Sequence, residues 1–130
     1  MAAPRKFAHV VYATHRYDEM IAWYLDVFEA RVQHRDAKLA FLTYDDEHHR
    51  FAFANLGPIP AGEDGKKGRG AGVAHVAYTW DDMAGLMDVY RRLRDRGVRP
   101  QTCLRHGLTF SMYYNDPDGN QMEFQIDTLD

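Results

Sequence analysis

The feature that most constrains the fold of this chain is a five-residue phrase that occurs twice. Ala8-His9-Val10-Val11-Tyr12 lies near the start, and Ala74-His75-Val76-Ala77-Tyr78 lies just past the middle of the 130 residues. The small, β-branched and aromatic residues around each histidine predict a β-strand that turns the histidine to one face of a sheet. The repeat therefore predicts two related halves, each supplying a possible metal ligand from its first strand.

The first half has the pattern of a strand, a helix and three strands. A strand over residues 6–14 precedes a helix for which Asp18 is the expected cap. Apolar residues recur there at helical spacing and predict one buried face: Met20, Ile21, Tyr24, Leu25 and Phe28. Short strands are expected over residues 31–34, 39–44 and 50–55.

The second half repeats this order. A strand over residues 72–79 is followed by a helix capped by Asp81 or Asp82. Its expected inward residues are Met83, Leu86, Met87, Tyr90 and Leu93. Three strands follow over residues 99–104, 108–114 and 120–126, and residues 115–119 are expected to form the last hairpin turn.

These patterns predict an α+β fold made of two βαβββ repeats. The repeats cover residues 5–56 and 72–127 of a single domain spanning residues 1–130, and residues 57–71 form a linker or lid rich in Gly, Pro and Lys. Each repeat is too small to bury its own sheet, so the two are expected to close into a curved mixed sheet around a metal-binding cavity. Exposed sheet edges favour a homodimer.

Composition excludes several kinds of partner. A net charge of −3 and a pI near 6.1 give no general electrostatic reason to bind nucleic acid or an anionic membrane. Cys103 is the only cysteine, so no intrachain disulfide forms, which fits a reducing compartment. No apolar run is long enough for a secretory leader or a membrane span. The predicted location is cytoplasmic.

The last strand offers a third metal ligand. Alternation places Met122, Phe124 and Ile126 under the helix and turns Glu123 to the other face, which is the cavity side. A carboxylate there is costly unless a metal or a polar network satisfies it. Counting from the tyrosine before each hairpin turn places Phe53 at the equivalent position of the first repeat, which therefore lacks a matching acid. The predicted metal ligands are His9, His75 and Glu123, a two-histidine, one-carboxylate set suited to Fe(II) and oxygen chemistry.

The repeated strands and the ending Asn115-Asp116-Pro117-Asp118-Gly119-Asn120-Gln121-Met122-Glu123-Phe124 resemble the vicinal oxygen chelate superfamily. That superfamily contains glyoxalases, bleomycin and fosfomycin resistance proteins, epimerases and type I extradiol dioxygenases. The resemblance covers almost the whole chain and implies the fold more strongly than the activity.

Residues outside the metal set resemble the extradiol dioxygenases in particular. His48-His49-Arg50-Phe51-Ala52-Phe53 is similar to a His-His-x-x-Ala-Phe segment of those enzymes, whose second histidine faces the oxygen-binding side of the metal. Arg105-His106-Gly107 and Ser111-Met112-Tyr113 resemble their stretch in which a histidine and a tyrosine contact the catechol oxygens. The resemblance therefore implies that His49 is the acid–base residue and that His106 and Tyr113 contact the substrate.

The resulting prediction is an Fe(II)-dependent extradiol dioxygenase that cleaves a small aromatic diol with O2 as co-substrate. Two alternatives stay open. A fosfomycin-type thiol transferase would use the same three ligands with Mn(II) and would need an anion site, for which residues 66–69 are the only local basic candidate. A metal-free small-molecule binding or resistance protein of the same fold is the other alternative.

Overall fold

The structure is a computed structural model that describes residues 2–105 and 109–127. It contains two compact units, Met1–Gly65 and Lys66–Asp130. The first unit contains β1 (Val10–Thr14), α1 (Tyr17–Val27), β2 (Arg31–Arg35), β3 (Leu39–Thr43) and β4 (Phe51–Asn55). The second contains β5 (His75–Thr79), α2 (Met83–Asp95), β6 (Thr102–Arg105), β7 (Thr109–Asn115) and β8 (Gln121–Asp127). The predicted α+β class and both βαβββ units are confirmed.

Each unit builds a four-stranded mixed sheet with the same topology. The strand orders are β1-β4-β3-β2 and β5-β8-β7-β6. In each sheet the first strand runs parallel to the last, and the remaining pairs are antiparallel. This order places the first strand of each repeat, which carries the histidine, beside the last one. That the two units form one domain closed around a cavity stays a prediction.

The first strand of each repeat is shorter than predicted. β1 begins at Val10 rather than at residue 6, and β5 begins at His75 rather than at residue 72. The reason is that pairing begins only where the neighbouring strand begins, at Val10 opposite Phe51 and at His75 opposite Gln121. His9 therefore lies immediately before β1.

Helix α1 packs an aromatic core against β4. The ring centroid of Tyr24 lies 4.8 Å from that of Phe51 and 5.0 Å from that of Phe53, and all three side chains are buried. Met20, Ile21 and Phe28 are buried as predicted, as is Val27, whereas Leu25 is only partly buried.

The start of α1 differs from the prediction. The helix begins at Tyr17, and Arg16 occupies the cap position without a side-chain cap. Asp18 lies in the first turn, where its charge favours the positive end of the helix, and it accepts a 2.6 Å hydrogen bond from Arg35. Asp18 therefore stabilises the helix start without capping it.

Helix α2 begins at the predicted cap and buries a slightly different face. Asp82 accepts a 2.8 Å hydrogen bond from the backbone amide of Gly85. Leu86 and Leu93 are buried as predicted, together with Val89. Met83 is exposed instead of inward because a helical side chain covers the turn before it, and Met83 is the first residue of the helix.

Strand β8 alternates as predicted. Met122, Phe124 and Ile126 are buried, and the residues between them face the other side of the sheet and are partly exposed. At the turn before β8, the buried Asp116 accepts hydrogen bonds from the backbone amides of Asp118 and Asn120, both at 2.9 Å. Gly119 has a φ of 85°, a conformation that favours glycine.

Residues 57–71 contain no helix or strand, as predicted for the linker. The backbone amide of Lys67 donates a 2.8 Å hydrogen bond to the carbonyl of Asp118, so the linker contacts the turn before β8. Within the part of the chain that is described, no helix is both long and apolar enough to span a membrane.

Candidate active site

A histidine and a glutamate meet on one face of the second sheet. The Nε2 atom of His75 lies 3.2 Å from Oε1 of Glu123. They come together because β5 runs parallel to β8, with His75 opposite Gln121 and Ala77 opposite Glu123. The Glu123 side chain is only 12% exposed, so its charge depends on the polar groups around it.

Two residues of β7 orient the Glu123 carboxylate. The buried hydroxyl of Ser111 donates a 2.6 Å hydrogen bond to Oε2. Tyr113 is the direct cross-strand partner of Glu123, and its phenol is hydrogen-bonded to the carboxylate. The carboxylate is thus held by neighbours on two strands.

Tyr113 also contacts His75. Their ring centroids lie 5.8 Å apart with nearly perpendicular planes. Burial raises the pKa of the Tyr113 phenol, and the charge of Glu123 and their hydrogen bond raise it further. The phenol is therefore protonated at neutral pH, and its single O–H donates to the Glu123 carboxylate. We call His75, Ser111, Tyr113 and Glu123 the Glu123 cluster.

Ser111 belongs to this site, although no role was predicted for its side chain. Strand alternation placed Ser111 and Tyr113 on the same face, and that was the available signal. The link to Glu123 depends on the register of β7 against β8, which pairs Tyr113 with Glu123 and Ser111 with Gln125.

The first sheet brings His9 and His49 together. Their ring centroids lie 4.1 Å apart, and the Phe41 ring stacks on His49 with a centroid distance of 4.2 Å. Burial lowers the pKa of the His49 imidazole, and the neighbouring His9 and His48 lower it further against a smaller opposing effect of Glu47. His48 is exposed, and its Nδ1 atom lies 2.9 Å from Nδ1 of His49.

Arg50 ties the segment before His9 to the loop that carries His49. Its guanidinium donates to the carbonyl oxygens of Phe7 at 2.6 Å and Ala8 at 3.0 Å. The same group binds both carboxylate oxygens of Asp45 at 3.0 to 3.1 Å. Hydrogen bonding to Arg50 is the largest cause that lowers the pKa of the Asp45 carboxyl.

The first repeat lacks an acid at the position equivalent to Glu123, but the equivalent residue is Ala52 rather than Phe53. Val11 is opposite Ala52, just as Ala77 is opposite Glu123 in the second sheet. The count from the hairpin tyrosines was wrong by one residue because the two tyrosines are not equivalent. Leu42, opposite Phe51, corresponds to Tyr114, opposite Met122, and the first hairpin is one residue longer than the second. Phe53 instead lies in the core against Tyr24.

The predicted metal ligands fall into two groups. His75 and Glu123 meet in the second unit, and an imidazole nitrogen beside a carboxylate fits a divalent transition metal. His9 lies with His49 in the first unit. Across residues 2–105 and 109–127, no three His, Cys, Asp or Glu side chains are grouped as they would be around a metal ion. The three-ligand set stays a prediction, and His106 lies outside the described residues.

The sequence is similar to two characterised proteins that share one enzyme name. The chain is 46% identical over 129 residues to biphenyl-2,3-diol 1,2-dioxygenase 2 and 41% identical to biphenyl-2,3-diol 1,2-dioxygenase 3, both from Rhodococcus globerulus. The alignments cover 99% of this chain and 66% and 67% of the relatives, so the chain spans about two thirds of their length. The predicted relationship to dioxygenases of catechol-type substrates is confirmed.

The fold has solved relatives with low sequence identity. The lactoylglutathione lyase of Agrobacterium tumefaciens superposes with a TM-score of 0.72 at 18% identity, covering 96% of each chain. The fosfomycin resistance protein FosX of Listeria monocytogenes superposes with a TM-score of 0.73 at 16% identity, covering 98% of this chain and 97% of the other. At such identities the likeness concerns the fold alone.

The sequence model of one protein family matches most of this chain. It matches residues 6–124, which span the first βαβββ unit, the second unit as far as Phe124 in β8, and the whole Glu123 cluster. The chain belongs to the glyoxalase/bleomycin resistance protein/dioxygenase superfamily.

Proposed function

We propose that this chain is an Fe(II)-dependent extradiol dioxygenase that opens the ring of a catechol-type substrate with O2. The observation that carries the proposal is the Glu123 cluster in a chain 46% identical to a biphenyl-2,3-diol 1,2-dioxygenase. Cleavage between carbons 1 and 2 of a 2,3-diol occurs beside the hydroxyl-bearing pair rather than between them, which is extradiol cleavage.

In this proposal His75 and Glu123 hold the metal, with His9 as the third ligand expected from the sequence repeat. When bound, Fe(II) would acidify the diol and supply electron transfer between the diol and O2. Ser111 fixes one oxygen of Glu123 by its hydrogen bond and so leaves the other directed toward His75. Partners of this kind orient metal ligands.

Tyr113 is the proposed contact to a substrate oxygen, toward which its O–H would turn from the Glu123 carboxylate when the diol binds. Its phenol is held beside His75 and Glu123, so a diol bound at these ligands would lie within its reach. His106 is proposed as a second contact to the diol on the strength of the family resemblance alone.

His49 is the proposed acid–base residue. It lies beside His9 and is partly buried against Phe41, so water has limited access to one side of the ring. An imidazole can accept and return a proton near neutral pH, which the transfer from the diol and the later protonation both require.

Two variants test these roles separately. His75→Ala should lose stoichiometric iron in anaerobic metal analysis. His49→Phe should retain iron and catechol binding while turnover falls by about 10²–10⁴, the usual effect of removing an acid–base group. Iron binding by His75→Ala at the parent level would reject the metal site, and unchanged turnover of His49→Phe would reject its role.

Consumption of fosfomycin with a thiol and Mn(II), in place of catechol cleavage, would favour the transferase alternative.

The proposal also includes a homodimer in the cytoplasm. Strands β2 and β6 lie at the edges of their sheets, and all of their described residues are exposed. Exposed edge strands are common sites of association between chains.

A further inference from the structure

A polar cavity of about 520 Å³ lies in the second unit, next to the Glu123 cluster. Three cationic side chains and three carboxamides line it: Lys66, Lys67, Arg69, Gln101, Asn115 and Gln121. Neither the metal site nor the acid–base roles proposed above use any of these residues.

Positive charge dominates the cavity. In the described part of the chain, Lys67 and Arg69 have no carboxylate within ion-pair distance, and the ammonium of Lys67 donates to the carbonyl of Val73. The carboxylate that lines the cavity, Asp116, accepts three hydrogen bonds from Asp118 and Asn120 within its own turn. The charges of Lys67 and Arg69 are therefore not offset by a carboxylate within ion-pair distance among the described residues, and an anion that enters the cavity gains favourable electrostatic energy.

The carboxamides add hydrogen-bond donors. Asn115 and Gln121 both donate to the amide oxygen of Gln101, at 3.2 and 3.3 Å. Among the described residues, each donor uses only one of its two N–H groups, and the amide nitrogen of Gln101 uses neither. The cavity thus presents more donors than acceptors, which suits a carboxylate.

The cavity follows directly from the Glu123 cluster along the same face of the sheet. Asn115 is opposite Gln121, and the next pair on that face is Tyr113 opposite Glu123. Residues two apart in a strand are separated by about 7 Å. Ala74, which precedes His75, also lines the cavity. A ring bound beside Tyr113 and Glu123 would place a short substituent in the cavity.

We infer that this cavity binds an anionic substituent, so that the substrate is a catechol bearing a carboxylate side chain. The inference rests on the proposed function for the position of the ring. An uncharged apolar substituent, such as the phenyl ring in the names of the curated relatives, would desolvate Lys67 and Arg69 without compensating them.

The test compares two catechols of the same shape, 3-(2,3-dihydroxyphenyl)propionate and its uncharged primary amide. The Fe(II)-loaded protein should favour the acid in kcat/KM, and the preference should weaken as salt rises because the cations are exposed. The double variant Lys67→Gln/Arg69→Gln should raise KM for the acid about 10-fold and leave KM for the amide unchanged. The matched control, Arg91→Gln/Arg99→Gln, removes the same charge from exposed positions of the same unit that do not line the cavity.

Equal use of acid and amide by the parent, or a preference that the double variant retains, would overturn the inference and leave the dioxygenase proposal intact. A second measurement does not depend on turnover. 3-Phenylpropionate, which has no diol, should shift the NMR signals of Arg69, Asn115 and Gln121 in the metal-free protein, and less so in the double variant. If no catechol is cleaved but these shifts occur, the dioxygenase proposal fails while the anion site stands; absence of the shifts overturns the site.

Discussion

Glu123 depends on a hydroxyl for its orientation. Ser111 is fully buried, and its 2.6 Å hydrogen bond goes to a carboxylate that is itself mostly buried. Hydrogen bonds to charged groups are shorter and stronger than those between neutral groups. Loss of the Ser111 hydroxyl should therefore change the orientation of the Glu123 carboxylate, the proposed metal ligand, although Ser111 itself would not contact the metal.

Ser111→Ala should lower the affinity for Fe(II) by about 10- to 100-fold, the usual effect of removing a partner that orients a metal ligand. Anaerobic Fe(II) titration measures this. Thr79→Val is the matched control, because the Thr79 hydroxyl accepts from Gln125 on the same sheet and makes no described contact with Glu123. Parent-like affinity in Ser111→Ala would contradict the role given to Ser111.

Asp36, which lies outside the candidate active site, is expected to make the stability of the fold depend on pH. Backbone hydrogen bonds from Lys38 and Leu39 and the side chain of His34 hold the pKa of its carboxyl at about 2. Because folding lowers this pKa, the ionised Asp36 carboxylate stabilises the folded state fully above its ordinary pKa of 3.8. That contribution to the free energy of unfolding is lost as the pH falls toward 2.

Asp36→Asn should therefore flatten the fall in unfolding free energy between about pH 4 and pH 2, relative to the parent. Urea unfolding across this range measures it. Parallel curves for the two proteins would show that Asp36 does not contribute in this way.

At the scale of secondary-structure elements, Arg50 holds the residues just before β1, where pairing with β4 has not yet begun. His9 lies just before the strand, and the bonds from Arg50 to the carbonyls of Phe7 and Ala8 hold that segment beside the loop of His49. Asp45 fixes the guanidinium in turn. Arg50 thus links the segment that carries His9 to the loop that carries His49 through backbone and side-chain hydrogen bonds.

Arg50→Gln should weaken the NOE between the His9 and His49 rings in the metal-free protein and lower the free energy of unfolding by about 1.5–3 kcal/mol, the range for hydrogen bonds to charged groups. Arg35→Gln, which breaks the ion pair with Asp18 in the same unit, is the control and should leave the NOE intact. An unchanged NOE in Arg50→Gln would contradict the positioning role.

The sequence predicts what local periodicity determines. Alternation in β8 gave the face of Glu123, and helical spacing gave most of the core under α1. Sequence patterns could not predict the hydrogen bonds from Arg50 to Phe7 and Ala8. Those residues lie more than 40 positions from Arg50, and the acceptors are backbone carbonyls, which every residue type has. The assignment of Phe53 failed for a related reason, since strand pairing and not the position of a tyrosine sets the register, and Tyr44 is not equivalent to Tyr114.

At the scale of the whole molecule, the two units repeat one sheet topology, and the exposed edge strands β2 and β6 raise the question of assembly. Val32 and Leu104 on these strands are 43% and 40% exposed. We expect a homodimer, measured as twice the 15.0 kDa chain mass in sedimentation equilibrium. A monomer mass that is independent of concentration would contradict this.

Ring opening by O2 is the central claim, and isotope labelling tests it most directly. The protein is loaded with Fe(II) without oxygen, mixed with catechols bearing alkyl, aryl or carboxylate substituents, and exposed to ¹⁸O2, and the product is analysed by mass spectrometry. The proposal predicts a yellow ring-opened 2-hydroxy-6-oxo-dienoate, cleaved beside the diol, which is a ketone where the cleaved carbon bears the substituent and an aldehyde where it bears hydrogen. One labelled atom enters the carboxylate and the other enters the new carbonyl, before exchange with water. Catechols that remain intact across the whole panel, or that are cleaved between the two hydroxyl-bearing carbons, would contradict it.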